Sequence, residues 1–250
     1  MSDPTAQKVA HGFRGYNPDR YPRPSVTVDL VLFTVRDGGL SVLLIRRGAP
    51  PFEGALALPG GFVRVGEGAL DQGEGLDEAA RRELGEETGL TGELLDASRV
   101  HLEQLHTFGA PGRDPRLRVI SVAYLALVPP DLIAETKAGD DAAEALWVRV
   151  DEVDTTSLAF DHARILEVAL ARLRDRVDAS SVAASLVPQS FTTTELRVVF
   201  EAVLGRPYDA ANFRRRLRRL VEDGVLIETG ATRASGRRGG RPAALYAFCC

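Results

Sequence analysis

The sequence predicts an α/β (α+β) protein: a layered domain with a mixed sheet between helices, then a smaller basic domain of helices and a β-hairpin. Three observations point there. Apolar runs of strand length alternate with helical periodicities through the first part of the chain, and one of those helices is strongly acidic. The charge then changes sign. Phe191–Phe248 holds eleven arginines, no lysine and six acids, about +5, although the 250 residues together carry −4. The changeover follows the alanine- and serine-rich stretch DASSVAASLVPQS, so the expected domains are residues 1–178 and 191–250, joined at 179–190 by a linker or linker helix. A chain of 250 residues that is 44% hydrophobic is long enough for cores of that number.

The opening segment, MSDPTAQKVAHGFRGYNPDRYPRPS, is polar and interrupted by prolines, with no apolar leader core. No later run approaches the length of a membrane span. A soluble, cytoplasmic protein without a membrane partner is expected. Cys249 and Cys250 are the only cysteines; adjacent at the C-terminus, they suit neither a disulfide framework nor a structural zinc site and read as a free tail.

Taken in order, SVTVDLVLFTV (Ser25 to Val35) and LSVLLIRR (Leu40 to Arg47) read as strands, and the RDGG between them as a hairpin turn. GALALPGGFV, RVISVAYLALV (Arg118 to Val128) and EALWVRV (Glu144 to Val150) continue the sheet. Helical patterns cover Leu76 to Thr88 and roughly Ala163 to Val177. In the first of these, Leu76, Ala80 and Leu84 recur every four residues as a buried stripe, and Gly89 supplies a C-terminal cap.

That helix carries the chemistry. Glu83, Glu86 and Glu87 fall at i, i+3 and i+4 on one adjoining face, off the apolar stripe. A solvated surface helix is the plain reading, and the Glu78/Arg82 pair at i, i+4 supports it. Against it, Glu83 and Glu87 repel at i, i+4, and Gly85 costs roughly 1 kcal/mol against alanine inside a helix. Divalent cations would turn that repulsion into binding.

With U for an apolar residue, Gly68-x5-Glu74-x7-Arg82-Glu83-Leu84-x-Glu86-Glu87-x-Gly89-Leu90 matches the Nudix box, GX5EX7REUXEEXGU, at every defined position. This part of the chain therefore resembles the Nudix family. The resemblance implies a Nudix fold, with Mg²⁺ or Mn²⁺ held by glutamates against a diphosphate linked to another moiety; hard cations prefer such oxygen ligands. Carried over by position, Glu83 and Glu87 are metal ligands, Glu86 a further ligand or water positioner, and Arg82 the residue that orients the carboxylates. The main-chain carbonyl near Gly60 is a metal ligand in similar proteins. There the box glycine ends a strand reading like ALPGGFV, which here is Ala57 to Val63. Gly61 lies 21 positions before Arg82 where the box has 14, and the near-repeat of GEGALD and GEGLDE suggests a small duplication.

FGAPGRDPRLRVISVAY (Phe108 to Tyr124) sets Arg113, Arg116 and Arg118 around two prolines, a stiff way to present guanidinium groups to phosphates. Alone it reads as a basic surface loop. Beside the box it resembles the ADP-ribose-handling branch of the family, which makes these arginines, with Arg46, ligand-binding candidates. AGDDAAEALW (Ala138 to Trp147) offers Asp140, Asp141 and Glu144 before a strand, where some similar hydrolases place a catalytic glutamate; Glu144 is the candidate base, and a solvated acidic turn is the alternative. His11, His101, His106 and His162 show no metal-ligand spacing and read as structural or surface residues.

In the basic region, FTTTELRVVFEAVLG opens with a capping box, Thr192 to Glu195, and buries Leu196, Val199, Phe200 and Val203. AANFRRRLRRLVEDG, capped by Asp209, directs Phe213, Leu217, Leu220 and Val221 to a core and Ala211, Asn212, Arg215, Arg218 and Arg219 outward. VLIE, then TGATRASGRRGGRP, then AALYAF read as two short strands around a basic wing. A solvated arginine face and a loose loop are the plain readings. The whole resembles a winged helix-turn-helix with Asp209 to Glu222 as recognition helix. Asn212 and Arg215 then suit base edges, Arg214, Arg218 and Arg219 suit phosphates, and Arg237, Arg238 and Arg241 suit a narrow minor groove.

YPRPSVTVDLVLFTV, ALPGGFV, FTTTELRVVFEAV and GRPAALY extend the likeness over nearly the whole chain, to the Nudix-related transcriptional regulators of the NrtR type. That resemblance implies a dimeric repressor of NAD-metabolism genes whose hold on double-stranded operator DNA is weakened by ADP-ribose or a related nucleotide. The rival is a Nudix ADP-ribose pyrophosphatase, yielding AMP and ribose 5-phosphate, whose basic tail is accessory. A third reading is an inactive Nudix scaffold binding RNA through that tail. Fold alone does not separate them.

Overall fold

The structure, a computed structural model, describes residues 20–66, 72–90, 99–134, 145–177, 180–234 and 242–249. Its spine is strand β1 (Ser25–Arg36), joined to β2 (Gly39–Arg46) through the Asp37–Gly38 turn. Both turn residues have positive φ, 49° and 77°, which matches the twist of a tight hairpin and is what an Asp-Gly pair supplies. β3 (Leu56–Ala57) pairs with the end of β2, and β4 (Gly60–Phe62) with the start of β1. Helix α1 (Leu76–Thr88) follows, then β5 (His101–Phe108), β6 (Val119–Leu127), the short α2 (Pro130–Ala134) and β7 (Ala145–Arg149). The sheet runs β3-β2-β1-β6-β5, with β7 also on β2; β1 and β6 are parallel and the other pairs antiparallel. The expected mixed sheet is present.

β1 is apolar on both faces because both are covered. Val28, Leu30 and Leu32 pack with Leu43, Val122 and Tyr124 against Ala79, Ala80 and Leu84 of α1. Val31, Phe33 and Val35 point the other way, onto Ile165, Leu166, Ala169 and Leu173 of α3 (His162–Arg176). That second core does not end with α3. It continues through Val182, Ala183, Leu186 and Val187 into Phe191, Leu196, Val199, Phe200, Val203, Phe213 and Leu226. The segment expected as a linker or linker helix forms the short α4 (Ser180–Ala184), and the segment buries Val182, Ala183, Leu186 and Val187.

Beyond α4, β8 (Phe191–Thr192) leads into α5 (Thr193–Leu204), closed at its start by the reciprocal Thr192/Glu195 box and at its end by Gly205 in the left-handed region. α6 (Ala210–Glu222) is capped by Asp209, whose side chain accepts from Asn212 N at 2.8 Å. β9 (Leu226–Arg233) and β10 (Ala243–Phe248) form the hairpin, with β8 on the far side of β10. Phe200, Tyr208 and Phe213 meet edge to face at 5.8–6.0 Å, locking α6 onto α5. Val221, expected inside, is 41% exposed, one residue before the end of α6. No helix among the described residues is long and apolar enough to cross a membrane.

Candidate ligand site and nucleic-acid interface

The acidic helix is turned further inward than its apolar spacing suggested. Leu76 is 36% exposed, while Ala79, Ala80, Glu83, Leu84 and Thr88 are buried. Glu83, expected off the buried face, is 6% exposed. What admits it is the Gly60–Gly61 pair on β4. A Cβ on Gly61 would lie 2.2 Å from Glu83 Oε1, and one on Gly60 would lie 2.2 Å from the Val28 carbonyl, at a φ of 154° that side chains avoid.

Arg82 organises the carboxylates, as the box implies. Its Nε and Nη2 donate to both oxygens of Glu74 at 3.0 and 2.7 Å, and its Nη1 donates to Glu83 Oε1 at 2.7 Å and Glu86 Oε2 at 3.0 Å. The Arg82 hydrogen bonds hold the Glu74 carboxyl down at about 2. Glu78, read from sequence as the Arg82 partner, instead accepts from Gly75 N and closes the helix start. Glu86 is claimed twice, since Arg64 Nη2 donates to its other oxygen at 3.1 Å. Glu87 differs from both. Its Oε2 is buried without a hydrogen-bond partner, and burial, then the charges of Glu83 and Glu86, push its carboxyl up to about 6. Burial raises Glu83 as well, against the pull of Arg82. Glu87 faces a cleft of about 460 Å³ bounded by Thr34, Leu43, Ile133 and Trp147.

Two partly buried carboxylates, one with an orphaned oxygen, fit a hard divalent cation. Glu83 and Glu87 are the side chains that would hold it. No three potential ligands are gathered among the described residues, and Glu86 is committed to two arginines. Gly68, Asp140, Asp141 and Glu144 lie outside the described residues, as do His11 and Cys250.

On the opposite face of β1 is a second, smaller cavity of about 160 Å³. Arg113 and Arg116 border it, but neither is a free phosphate hook. Arg113, with its side chain 4% exposed, donates to Asp161 at 2.6 and 3.0 Å and to Asp29 Oδ2 at 3.3 Å. Arg116 is bidentate to Asp114 and lies 5.8 Å over the Phe160 ring. Arg47 lies 4.8 Å over the same ring. Arg46 and Arg118 fall outside the cavity, on the carbonyls of Gly54 and Ala110, because alternate strand residues face opposite ways; Arg47 is the lining residue sequence reasoning missed.

Also missed were Asp29, Phe160, Asp161 and His162. His162, taken from sequence as structural or surface, is buried in the cavity wall with Nδ1 accepting from Leu58 N at 2.9 Å. Asp29 is a carboxylate in the middle of an apolar strand, and that anomaly was the available signal.

On α6, Ala211, Asn212, Arg214, Arg215, Arg218 and Arg219 are all exposed, as their helical phase requires. Arg215 Nη2 donates to Asn212 Oδ1 at 2.9 Å, one turn apart on the exposed face. Arg216 turns inward and lies 4.8 Å over Phe200. Arg237, Arg238 and Arg241 lie outside the described residues.

Residues 23–169 match the NUDIX domain model, and residues 183–248 match the NrtR DNA-binding winged helix domain. The ADPR responsive transcriptional repressor NtrR of Acinetobacter baylyi is 36% identical over 93% of this chain and 85% of its own. The crystal structure of Shewanella oneidensis NrtR complexed with a 27mer DNA superposes with a TM-score of 0.69 at 34% identity, over 90% of this chain and 93% of that one. The NUDIX domain of the same protein complexed with ADP ribose does so with a TM-score of 0.52 at 32% identity, over 69% of this chain and 99% of that one. A sheet, an acidic helix and an arginine-faced winged helix in this order, with these relatives, mean that the chain belongs to the Nudix family, in the branch that carries an NrtR winged-helix domain.

Proposed function

We propose that the chain is an ADP-ribose-responsive transcriptional repressor of NAD-metabolism genes. α6 enters the major groove of operator DNA, and ADP-ribose bound against the sheet lowers the affinity. The observation that carries this reading is the single hydrophobic core joining the cavity-bearing sheet, through α3 and α4, to the helix that displays the arginines. A ligand on one side and DNA on the other then act on one packed body. The relatives named above support both ligands. Acting on chromosomal DNA, the protein works in the cytoplasm. It binds as a homodimer to a palindromic site with half-sites about 34–36 Å apart or a multiple of that. Glu83 and Glu87 would hold Mg²⁺ or Mn²⁺, which would supply positive charge for a diphosphate.

The test is a mobility shift with duplex from the protein's own promoter region, with and without ADP-ribose. Retarded DNA that ADP-ribose releases is expected. By reciprocity, saturating operator weakens ADP-ribose binding by the same factor, typically about 5- to 150-fold. Equal ADP-ribose affinity with and without operator would reject the sensor and leave the pyrophosphatase reading, in which AMP and ribose 5-phosphate accumulate and DNA is indifferent.

A further inference from the structure

Where the sheet meets the winged helix there is a third cavity, of about 520 Å³, which shares no lining residue with the two already described. The β1–β2 turn, the end of β7 and α3 wall it on one side; the end of α5 and the turn into α6 wall it on the other. A ligand held here would touch both parts of the chain.

Arginines from three elements front this cleft, and their pairing is uneven. Arg149 gives Nε and Nη2 to the two oxygens of Asp151 at 3.0 and 2.8 Å, while its Nη1 lies over Gly39, where a Cβ would come within 2.5 Å. Arg174 gives Nε to the Val203 carbonyl at 3.2 Å, which anchors its guanidinium at the end of α5 and leaves both Nη groups without an acceptor among the described residues. Arg206, exposed in the turn, makes no hydrogen bond or ion pair among the described residues. The two acids of the walls are already engaged. Asp151 is held by Arg149, and Glu201 Oε1 accepts from Tyr208 N at 3.0 Å and lies 3.7 Å from Arg197 Nε. Two guanidinium groups therefore face the cleft without a counter-charge of their own.

We propose that this cleft binds a phosphate-type oxyanion, gripped by Arg174 and Arg206 with Arg149 Nη1 at its edge. A guanidinium is a planar fork of donors suited to oxyanions, and forks arriving from three elements surround a tetrahedral phosphate, with oxygens in every direction, better than a planar carboxylate. The volume takes inorganic phosphate or a small phosphate ester. Arg206 stands three residues before Asp209, the cap of α6, so the bound anion ties the helix-turn-helix elbow to α3. The site needs neither a metal nor a base, and so stands apart from the ADP-ribose reading.

The experiment is calorimetry on the full chain at fixed ionic strength, with a chelator present to keep divalent cations from Glu83 and Glu87. Inorganic phosphate, pyrophosphate and malonate, a dicarboxylate, are titrated separately. One phosphate or pyrophosphate per chain is expected, with malonate at least about 10-fold weaker. Arg174→Ala and Arg206→Ala are each expected to weaken the phosphate compounds about 10-fold or more, the scale of one charged hydrogen bond. Arg164→Ala, which removes an ion-paired guanidinium from elsewhere on α3, is expected to change nothing. Arg206 holds no other group in place, so loss of binding in its variant does not reflect unfolding. No binding by wild type, or binding that survives both changes, leaves the arginines merely solvated and overturns the inference. Malonate as tight as phosphate overturns it too, as does displacement of the anion by saturating ADP-ribose, which would place it in the sheet cavity. None of these outcomes bears on whether ADP-ribose releases DNA, so the two readings fail separately.

Discussion

Arg64 reaches from a 65% exposed position to a glutamate that the Nudix box assigns to metal. Exposed ion pairs are weak, about 0.2–1 kcal/mol, but this one competes directly with a cation for Glu86. Arg64→Ala should therefore tighten Mn²⁺ binding by roughly 2- to 5-fold, read from the free-ion electron paramagnetic resonance signal. An unchanged signal would show that Glu86 takes no part. His162 makes a different claim, about stability. Burial lowers its pKa below 6.5, Arg113 and Arg47 adding to this and Asp29 and Asp161 opposing it. Below pH 6.5 the unfolded chain takes up a proton that the folded chain refuses, so this group's contribution is full above 6.5 and is lost as pH falls toward the folded value. His162→Gln lacks that loss. The melting-temperature difference between wild type and variant should move in the variant's favour as pH drops below about 6.5; a pH-independent difference would mean that the ring is already charged when folded.

Elements place side chains that periodicity alone cannot. The bounds of helix α1 were legible, since its four-residue repeat and Gly89 cap agree, although Leu76 at the head of that repeat is exposed. The burial of Glu83 was not, because it depends on Gly61 approaching from β4, some twenty residues away in sequence. Gly61→Ala should force the Glu83 carboxylate aside and weaken Mn²⁺ by about 10-fold or more, as loss of one of two holding carboxylates requires, while far-ultraviolet dichroism stays native. Intact metal binding would place the ion elsewhere. β5 escaped notice for a related reason: at the sheet edge only Leu105 is buried, so HLEQLHTF shows no clear alternation. α6 was legible because one strong amphipathic pattern sets both its core and its arginine face. There, Arg218→Ala should weaken all duplexes roughly evenly and lower the salt slope by about 1, whereas Arg215→Ala should also relax base preference at one position. Equal effects on every sequence from both changes would remove Arg215 from the base edge.

Across the molecule, the charge change near residue 190 was read as a domain boundary at a linker or linker helix, and apolar packing runs continuously across it. Val182, Leu186 and Val187 are buried in the same core as Phe33 of the sheet and Phe200 of the winged helix, and Arg174 of α3 donates to the Val203 carbonyl of α5 at 3.2 Å. Composition reports which surface a segment shows to solvent; it does not report which neighbour covers its apolar side. Thermodynamically, the number of domains that sequence counts need not be the number of units that melt. Heat should unfold this chain in one calorimetric transition, with van 't Hoff and calorimetric enthalpies in agreement. Two resolved transitions would mean that the shared core contributes little. If there is one, ADP-ribose at saturating concentration should slow amide exchange in α5, a helix it never touches, because a ligand that stabilises a cooperative unit protects every hydrogen bond whose opening requires that unit to unfold.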